Sequence, residues 1–247
     1  MNSVAAREQA WCAAALAGQG PSPAWRAWAY REPALVLGPS QVGQGLDEPR
    51  CERLTRRSGG GAVLVGPWML GLSVRLPASH ALARAGLLPA YTWLGELLRE
   101  ALRPWCPRAS VLDAPRARDL QREGASPRFA WACFGGVSPG ELVLGRRKLA
   151  GLSQARSAHA VLLSAGVLLY PPGIAAWRML CDECGRPREH AGALARGCVA
   201  LASRRDAARV RQELCRDLRL RLGAELSPLR RGSTRLDPRP ARATSLI

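Results

Sequence analysis

Residues 141–169, ELVLGRRKLAGLSQARSAHAVLLSAGVLL, carry the densest strand signal in the chain. Aliphatic and β-branched residues are concentrated in 141–144, 148–153 and 160–169, and glycine or polar residues separate these runs. Gly145 begins a connection short enough for a tight hairpin. Because links this short join antiparallel neighbours, the segment predicts an antiparallel meander.

The flanking sequence adds further strands and several helices. Strands are predicted at 128–134, within 24–37 and around 72–76, and helices at 4–17, 87–101 and 174–222. Residues 105–127, rich in Pro, Arg and Asp, predict an exposed loop, and 226–247 predict a disordered basic tail. The order predicts an α+β fold, a mixed and largely antiparallel sheet with packed helices, in a single catalytic domain of residues 1–225.

The composition is strongly basic. The 247 residues contain 36 Lys and Arg against 19 Asp and Glu, a net charge of +17 that is typical of nucleic-acid binders. The chain has only one lysine, Lys148, and one asparagine, Asn2, as expected from a GC-rich coding bias that favours arginine on solvated faces. We therefore favour this bias over a nucleic-acid surface, and the basic surface could steer an acidic carrier protein.

The solitary lysine is informative because arginine supplies every other basic charge apart from histidine. An ammonium is a compact charge on a flexible stem that fits a narrow pocket, whereas a guanidinium is a rigid fork. The small residues Ala150, Gly151 and Ser153, which follow the lysine in the same strand, leave room beside it for a substrate. We expect Lys148 to stabilise charge at an acyl carbonyl or phosphate; the alternative is an edge charge that limits aggregation.

The run Arg56-Arg57-Ser58-Gly59-Gly60-Gly61-Ala62-Val63 lies between two predicted strands. Three glycines allow close backbone approach, and the arginines bring positive charge to the same place, which suits an anionic or carboxyl-bearing ligand. The run lacks the ending of a phosphate-binding Walker loop, and no helix follows it as in a dinucleotide site. A simple turn is the other interpretation.

Cys133 precedes two glycines in Trp131-Ala132-Cys133-Phe134-Gly135-Gly136. A thiol exposed there, near the basic residues, would favour the thiolate that attacks thioesters. The alternative is a small buried hydrophobic residue.

Other features point to a soluble protein of a reducing compartment. Eight scattered cysteines show no disulfide framework, Cys181 and Cys184 lack two further zinc ligands, and we expect no metal site. No signal peptide and no run of eighteen apolar residues is present, so we expect a cytoplasmic monomer without a membrane partner.

The order of these pieces resembles the catalytic domain of the lipoate–protein ligases and octanoyltransferases, over about residues 25–170. The matching residues are Ala34 to Gly38 with Gln41, Arg56 to Val63, Cys133-Phe134, and Gly145 to Gly151 with Gln154 and Arg156.

The resemblance implies an α+β domain related to biotin ligases, with an acyl chain in a tunnel beside the glycine run. It implies that Lys148 contacts the acyl carbonyl, or the acyl-adenylate phosphate in ligases, and that Cys133 forms an acyl thioester. It also implies acyl carrier protein and lipoyl-domain proteins as partners, a lipoyl or octanoyl substrate, and no tightly bound cofactor, with ATP and Mg only for a ligase. The substrate-binding residues expected are Arg56, Ser58, Gly59, Gly60, Gly61, Ala62, Gly151, Ser153 and Gln154.

Two departures from the family pattern bear on the reaction. Where the family commonly has His-Asp after the glycine run, this chain has Val65-Gly66-Pro67-Trp68, and the strand in which a His-Gly pair is usual here reads Ser164-Ala165-Gly166. With Cys133 present, the first loss favours acyl transfer over ATP-dependent ligation. The alternatives are a ligase and a basic nucleic-acid- or carrier-binding protein without activity.

Overall fold

The computed structural model describes residues 2–43, 48–123 and 129–226. In chain order its elements are α1 Val4–Ala17, β1 Ala24–Ala29, β2 Ala34–Leu37, a 3-10 turn Pro39–Gln41, β3 Glu52–Thr55, β4 Val63–Val65, β5 Met69–Pro77, α2 Ala81–Arg84, α3 Leu87–Leu102, β6 Ser110–Val111, α4 Ala114–Arg122, β7 Leu142–Leu144, β8 Arg147–Arg156, β9 Ala160–Leu168, α5 Ile174–Glu183, α6 His190–Arg196 and α7 Ala207–Glu225.

Two sheets form the framework. The larger has the strand order β1-β5-β9-β8-β7-β6 and is antiparallel throughout, and the smaller has the order β3-β2-β4 with β2 and β3 parallel. The predicted α+β class and mixed, largely antiparallel pairing are confirmed. The meander β7-β8-β9 is confirmed as well, and its first turn uses Gly145 at φ +62°, a conformation that glycine adopts at low cost.

Two hydrophobic layers place the helices. On one side of the large sheet, α3 and α7 bury their apolar stripes, and the predicted α7 stripe is confirmed because all four of its members are buried. They are Val210, Leu214, Leu218 and Leu222. A second cluster joins the small sheet to α5 and α6. None of the helices in the described ranges is both long and apolar enough to cross a bilayer.

The predicted loop at 105–127 is wrong, because this stretch contains β6 and α4. Asp113 caps α4 by accepting a hydrogen bond from the Arg116 amide at 2.7 Å, and Pro115 lies in its first turn. Only Ala117 and Leu120 of this helix are buried. Two buried residues among many arginines are too weak a pattern to predict a helix from the sequence.

The predicted strand at 128–134 is also wrong over its described part. Within this part, only Ala132 forms a β-bridge, and its partner is Ala62. Phe129 and Gly135 lie in tight turns that backbone hydrogen bonds close. The aromatic residues that suggested a strand pack into these turns instead. The predicted tail lies outside the described residues from 227 onward, and 174–222 is divided among three helices.

Candidate active site

The Lys148 ammonium is buried at the start of β8, and the residue is only 2% exposed. Its Nζ lies 2.7 Å from a carboxylate oxygen of Glu141 and donates to the main-chain carbonyls of Cys133 at 2.6 Å and Gly136 at 3.1 Å. An ammonium has three protons to donate, so these three partners satisfy it. The expected buried amine is therefore present, and it holds the turn that carries Cys133.

Glu141 is the partner that sequence reasoning missed. It precedes β7, across the hairpin from Lys148, and its two oxygens also accept the amides of Ser138 at 2.9 Å and Leu152 at 3.2 Å. Burial, the largest single influence, lowers the pKa of Lys148, but the charge and hydrogen bond of Glu141 together with Cys133 and Cys198 raise it by more, so the pKa is raised overall. The amine therefore stays charged at neutral pH. The sequence did contain a signal for this pair. Glu141 stands just before one strand of the predicted hairpin, and the chain's single lysine stands at the start of the other.

The Cys133 thiol lies beside this ammonium and is partly exposed. The Cys133 amide donates to the Ala62 carbonyl at 2.8 Å, which ties the cysteine turn to the end of the glycine run. A Cβ built on Gly151 would lie 3.3 Å from Cys133 Sγ and 3.4 Å from Lys148 Nζ. The missing side chain of Gly151 thus leaves the space in which thiol and ammonium approach each other.

Arg56 shapes the glycine run from within. Its guanidinium donates to the carbonyls of Gly61 at 2.6 Å, Gly59 at 3.1 Å and Val36 at 3.2 Å. Gly60 adopts φ +98°, which disfavours other residues. The Arg56 guanidinium, which the sequence led us to expect at a ligand, donates its hydrogen bonds to backbone carbonyls.

A narrow inner cavity of about 70 Å³ lies between the two sheets and under α1. Val36 lines it from the small sheet, Gly151 from the large sheet, and Glu8 from α1. Cys133 and Leu152 line it as well. Most of its wall is apolar, which suits an alkyl chain.

A wider outer cavity of about 620 Å³ lies on the other side of the thiol. It shares Cys133 with the inner cavity, and its wall includes Lys148, Glu141, Gly61 and, from α4, Arg118. Cys133 therefore lines both a narrow space and a wide one. The arrangement can hold a chain in the first while a second reactant approaches through the other.

Solved structures match this architecture over most of both chains. A lipoate-protein ligase A bound with ATP superimposes with a TM-score of 0.58 at 18% identity, covering 87% of this chain and 79% of that one. A bi-partite lipoate protein ligase of Thermoplasma acidophilum, solved in a study that included its E2 lipoyl domain, gives 0.55 at 16% identity over 90% and 80% of the two chains. This chain has the lipoate–protein ligase fold. The sequence itself matches no family model and no curated protein.

Within the lipoate–protein ligase fold, the residues expected to bind substrate are only partly brought together. Gly151 and the hydrogen-bonded pair Ser58 and Ser153, 2.9 Å apart, line the inner cavity, as does Arg56. Gly60 and Gly61 line the outer cavity.

Three of the expected binding residues lie outside both cavities. Gly59 borders neither space, Ala62 is buried behind the glycine run, and the amide of Gln154 pairs with the Arg156 guanidinium. Sequence reasoning also missed Arg118, which lines the outer cavity, because it lies in the segment predicted to be a loop. Across residues 2–43, 48–123 and 129–226, no three His, Cys, Asp or Glu side chains are grouped to hold a metal.

Proposed function

We propose that the protein transfers a lipoyl-type acyl group, lipoyl or octanoyl, to a lysine of a lipoyl carrier domain through a thioester on Cys133. The observation that carries the proposal is the position of Cys133, whose thiol lies beside a buried ammonium and which lines both a narrow and a wide cavity. The fold match supports the reaction class. The relative from T. acidophilum was solved as a ligase with an E2 lipoyl domain, which supports a carrier domain as partner.

The covalent route divides one difficult transfer into two steps. The Cys133 thiolate attacks the carbonyl carbon of an acyl thioester on acyl carrier protein. A bond to Cys133 forms, the bond to the donor sulfur breaks, and the departing thiolate takes up the proton that Cys133 lost. The amine of the target lysine then attacks the enzyme thioester, an amide forms, and the proton released from the amine returns to the Cys133 sulfur.

Lys148 contributes a fixed positive charge. Both tetrahedral intermediates carry an oxyanion, and a buried ammonium beside the thiol stabilises it more strongly than the same charge in water. Because Glu141 and two carbonyls already orient the amine, little reorganisation accompanies the reaction. We infer that the acyl oxygen competes for the proton now given to Gly136, the longest of the three contacts.

The two cavities have separate tasks in this scheme. The inner cavity takes the acyl chain, because its wall is narrow and mostly apolar. The outer cavity admits first the donor's thioester arm and then the lysine of the carrier domain. The Arg118 guanidinium at its wall favours acidic carrier surfaces.

The width of the outer cavity favours one alternative, an ATP-dependent ligase that forms a lipoyl-adenylate. A space of about 620 Å³ with an arginine in its wall can accommodate a nucleotide, and the relative at TM-score 0.58 was crystallised with ATP. In that case ATP and Mg would be required, and Lys148 would neutralise the adenylate phosphate. The missing His-Asp after the glycine run makes it the second candidate.

The test is an intact-mass search for an acyl adduct after incubation with octanoyl–acyl carrier protein. We expect one octanoyl group on the wild type, none on Cys133→Ser, and an unchanged adduct on Cys215→Ser, a partly buried cysteine on α7. A wild type without any adduct would contradict the covalent route.

A lipoyl domain in the same assay separates the other functions. ATP-dependent lipoylation that persists in Cys133→Ser would establish the ligase instead. A basic binding protein would show tight binding to nucleic acid or carrier with a steep salt dependence, and Lys148→Arg would not affect it.

A further inference from the structure

A row of glycines crosses the large sheet beneath the inner cavity. Gly71 on β5 is opposite Gly166 on β9, and Gly166 is opposite Gly151 on β8. Residues directly opposite on neighbouring strands share one face of a sheet. The three glycines therefore form a groove that runs perpendicular to the strands.

The two ends of this groove carry different chemistry. At Gly151 the Cys133 thiol and the Lys148 ammonium lie 3.3 and 3.4 Å from the position of the absent Cβ, whereas at Gly71 a Cβ would lie 2.2 Å from the Tyr30 hydroxyl. Two strand spacings separate the ends, so the hydroxyl lies on the order of 10 Å from the thiol. An extended acyl chain of about eight carbons spans this length.

The middle of the groove is lined by a flexible side chain. The space above Gly166 is taken by the Met69 thioether, whose sulfur would lie 2.9 Å from a Cβ at that position. A methionine side chain adjusts easily to a neighbouring alkyl chain. Both residues line the inner cavity, as do Tyr30 and Cys133.

A buried carboxylate, Glu8 of α1, marks the far end. It is 6% exposed and lines the cavity. The Tyr30 hydroxyl donates a hydrogen bond to one Glu8 oxygen at 2.6 Å, and the Ser73 hydroxyl donates to the other at 3.3 Å. The Ser73 oxygen in turn accepts hydrogen bonds from Trp28 Nε1 at 3.1 Å and from the Cys12 thiol at 3.5 Å.

No arginine or lysine within the described ranges forms an ion pair with Glu8, and the nearby Arg56 uses its guanidinium on carbonyls. Burying a carboxylate without a cation opposes folding, and a leucine would fill the same space without that cost. Each oxygen keeps a lone pair for a further donor. A role in packing alone does not account for such a group at the end of a groove for acyl chains.

We propose that Glu8, held by Tyr30 and Ser73, accepts a hydrogen bond from a hydroxyl or thiol at the distal end of an acyl chain of about eight carbons. The proposal rests on the proposed function for the placement of the acyl carbonyl at Cys133. It makes a chain with a terminal O–H or S–H group the preferred substrate over a plain alkyl chain. Burial raises the pKa of Glu8 to about 6, so the acceptor form dominates at neutral pH.

The experiment compares the free acids, whose binding requires no transfer. Isothermal titration of the full chain at pH 7.5 with octanoic acid and with 8-hydroxyoctanoic acid should give a dissociation constant at least about tenfold lower for the hydroxy acid, because only it satisfies the buried carboxylate. The hexanoic and decanoic pairs should show a smaller preference, since their ends do not coincide with Glu8. Equal or tighter binding of octanoic acid, or no binding of either acid, would overturn the proposal.

Two variants locate the preference. Glu8→Leu should abolish it by weakening hydroxy-acid binding and strengthening octanoic-acid binding, and Tyr30→Phe should reduce it while preserving the ring that fills the space. Preference retained in folded Glu8→Leu contradicts the assignment, and if that variant does not fold, the wild-type pair still decides. Tight binding of the hydroxy acid without any adduct at Cys133 would reject the covalent function and leave the specificity intact.

Discussion

Two buried charges at opposite ends of one groove are treated differently by the fold. Lys148 at the thiol end has a carboxylate and two carbonyls as partners, while Glu8 at the far end has two hydroxyl donors and, among the residues that the structure describes, no cation in an ion pair with it. The first charge is fully satisfied before any substrate arrives. The second retains acceptor capacity.

The difference shows how burial alone fails to describe a functional group. The surroundings favour the charged form of Lys148, whose pKa is raised, and disfavour that of Glu8, whose pKa is raised to about 6 by burial. The paired Lys148 charge fixes the geometry around the Cys133 sulfur, whereas the Glu8 carboxylate keeps the capacity to accept a further hydrogen bond. The Lys148 end and the Glu8 end can each be tested with its own variants.

The largest effect is expected from Glu141→Ala. Removal of one partner from a buried pair leaves the Lys148 charge uncompensated, so the free energy of unfolding should fall by about 3–5 kcal/mol in urea titrations at pH 7. Glu96→Ala, which breaks the exposed pair with Arg99, should cost less than about 1 kcal/mol. Equal losses in the two variants would show that the buried pair has no special weight.

A smaller effect is expected from Glu8→Gln, and it depends on pH. The folded-state pKa of Glu8 is about 6 against an ordinary 4.5, so folding favours the protonated acid, and stability is lost as pH rises from about 4.5 to 6. The facing groups Tyr30 and Cys12 have raised pKa values and stay neutral there.

Glutamine imitates the protonated acid. At pH 7.5 the free energy of unfolding of Glu8→Gln should therefore exceed that of the wild type by about 2 kcal/mol, so the variant unfolds at a higher urea concentration. Near pH 4.5 the two free energies should be equal. The check is a series of urea titrations between these pH values. A difference that does not change with pH would show that Glu8 is as well solvated as a surface acid.

The smallest effect is expected from Gly151→Ala, at the thiol end of the groove. Its Cβ would lie 3.1 Å from Lys148 Cε and 3.3 Å from Cys133 Sγ, which presses the amine and the thiol apart by tenths of an ångström. The rate of adduct formation should fall about tenfold, since small misplacements of reacting groups carry such costs. Gly223→Ala on α7, with open space at its Cβ, should leave the rate unchanged; equal rates in both variants would place the reaction elsewhere.

Much of the architecture was predictable because its signals are local. The meander around Gly145, the helix of residues 4–17 and the α7 stripe follow from strand propensity, turn chemistry and helical spacing. The errors have local causes as well. Arginine-rich α4 has too narrow a buried stripe to detect, and the aromatic residues around Cys133 resemble a strand although they pack into turns.

The candidate site divides along the same line. A single lysine in an arginine-rich chain, a triple glycine and a cysteine before two glycines are visible in the order of residues. The resemblance of that order to the lipoate–protein ligase and octanoyltransferase domain is what led us to expect an acyl-transfer centre. The pairing of Glu141 with Lys148, the glycine row and the meeting of Glu8 with Tyr30 and Ser73 come only with the folded chain. Such contacts depend on strand register and helix packing between residues far apart in sequence, and no local pattern specifies that register.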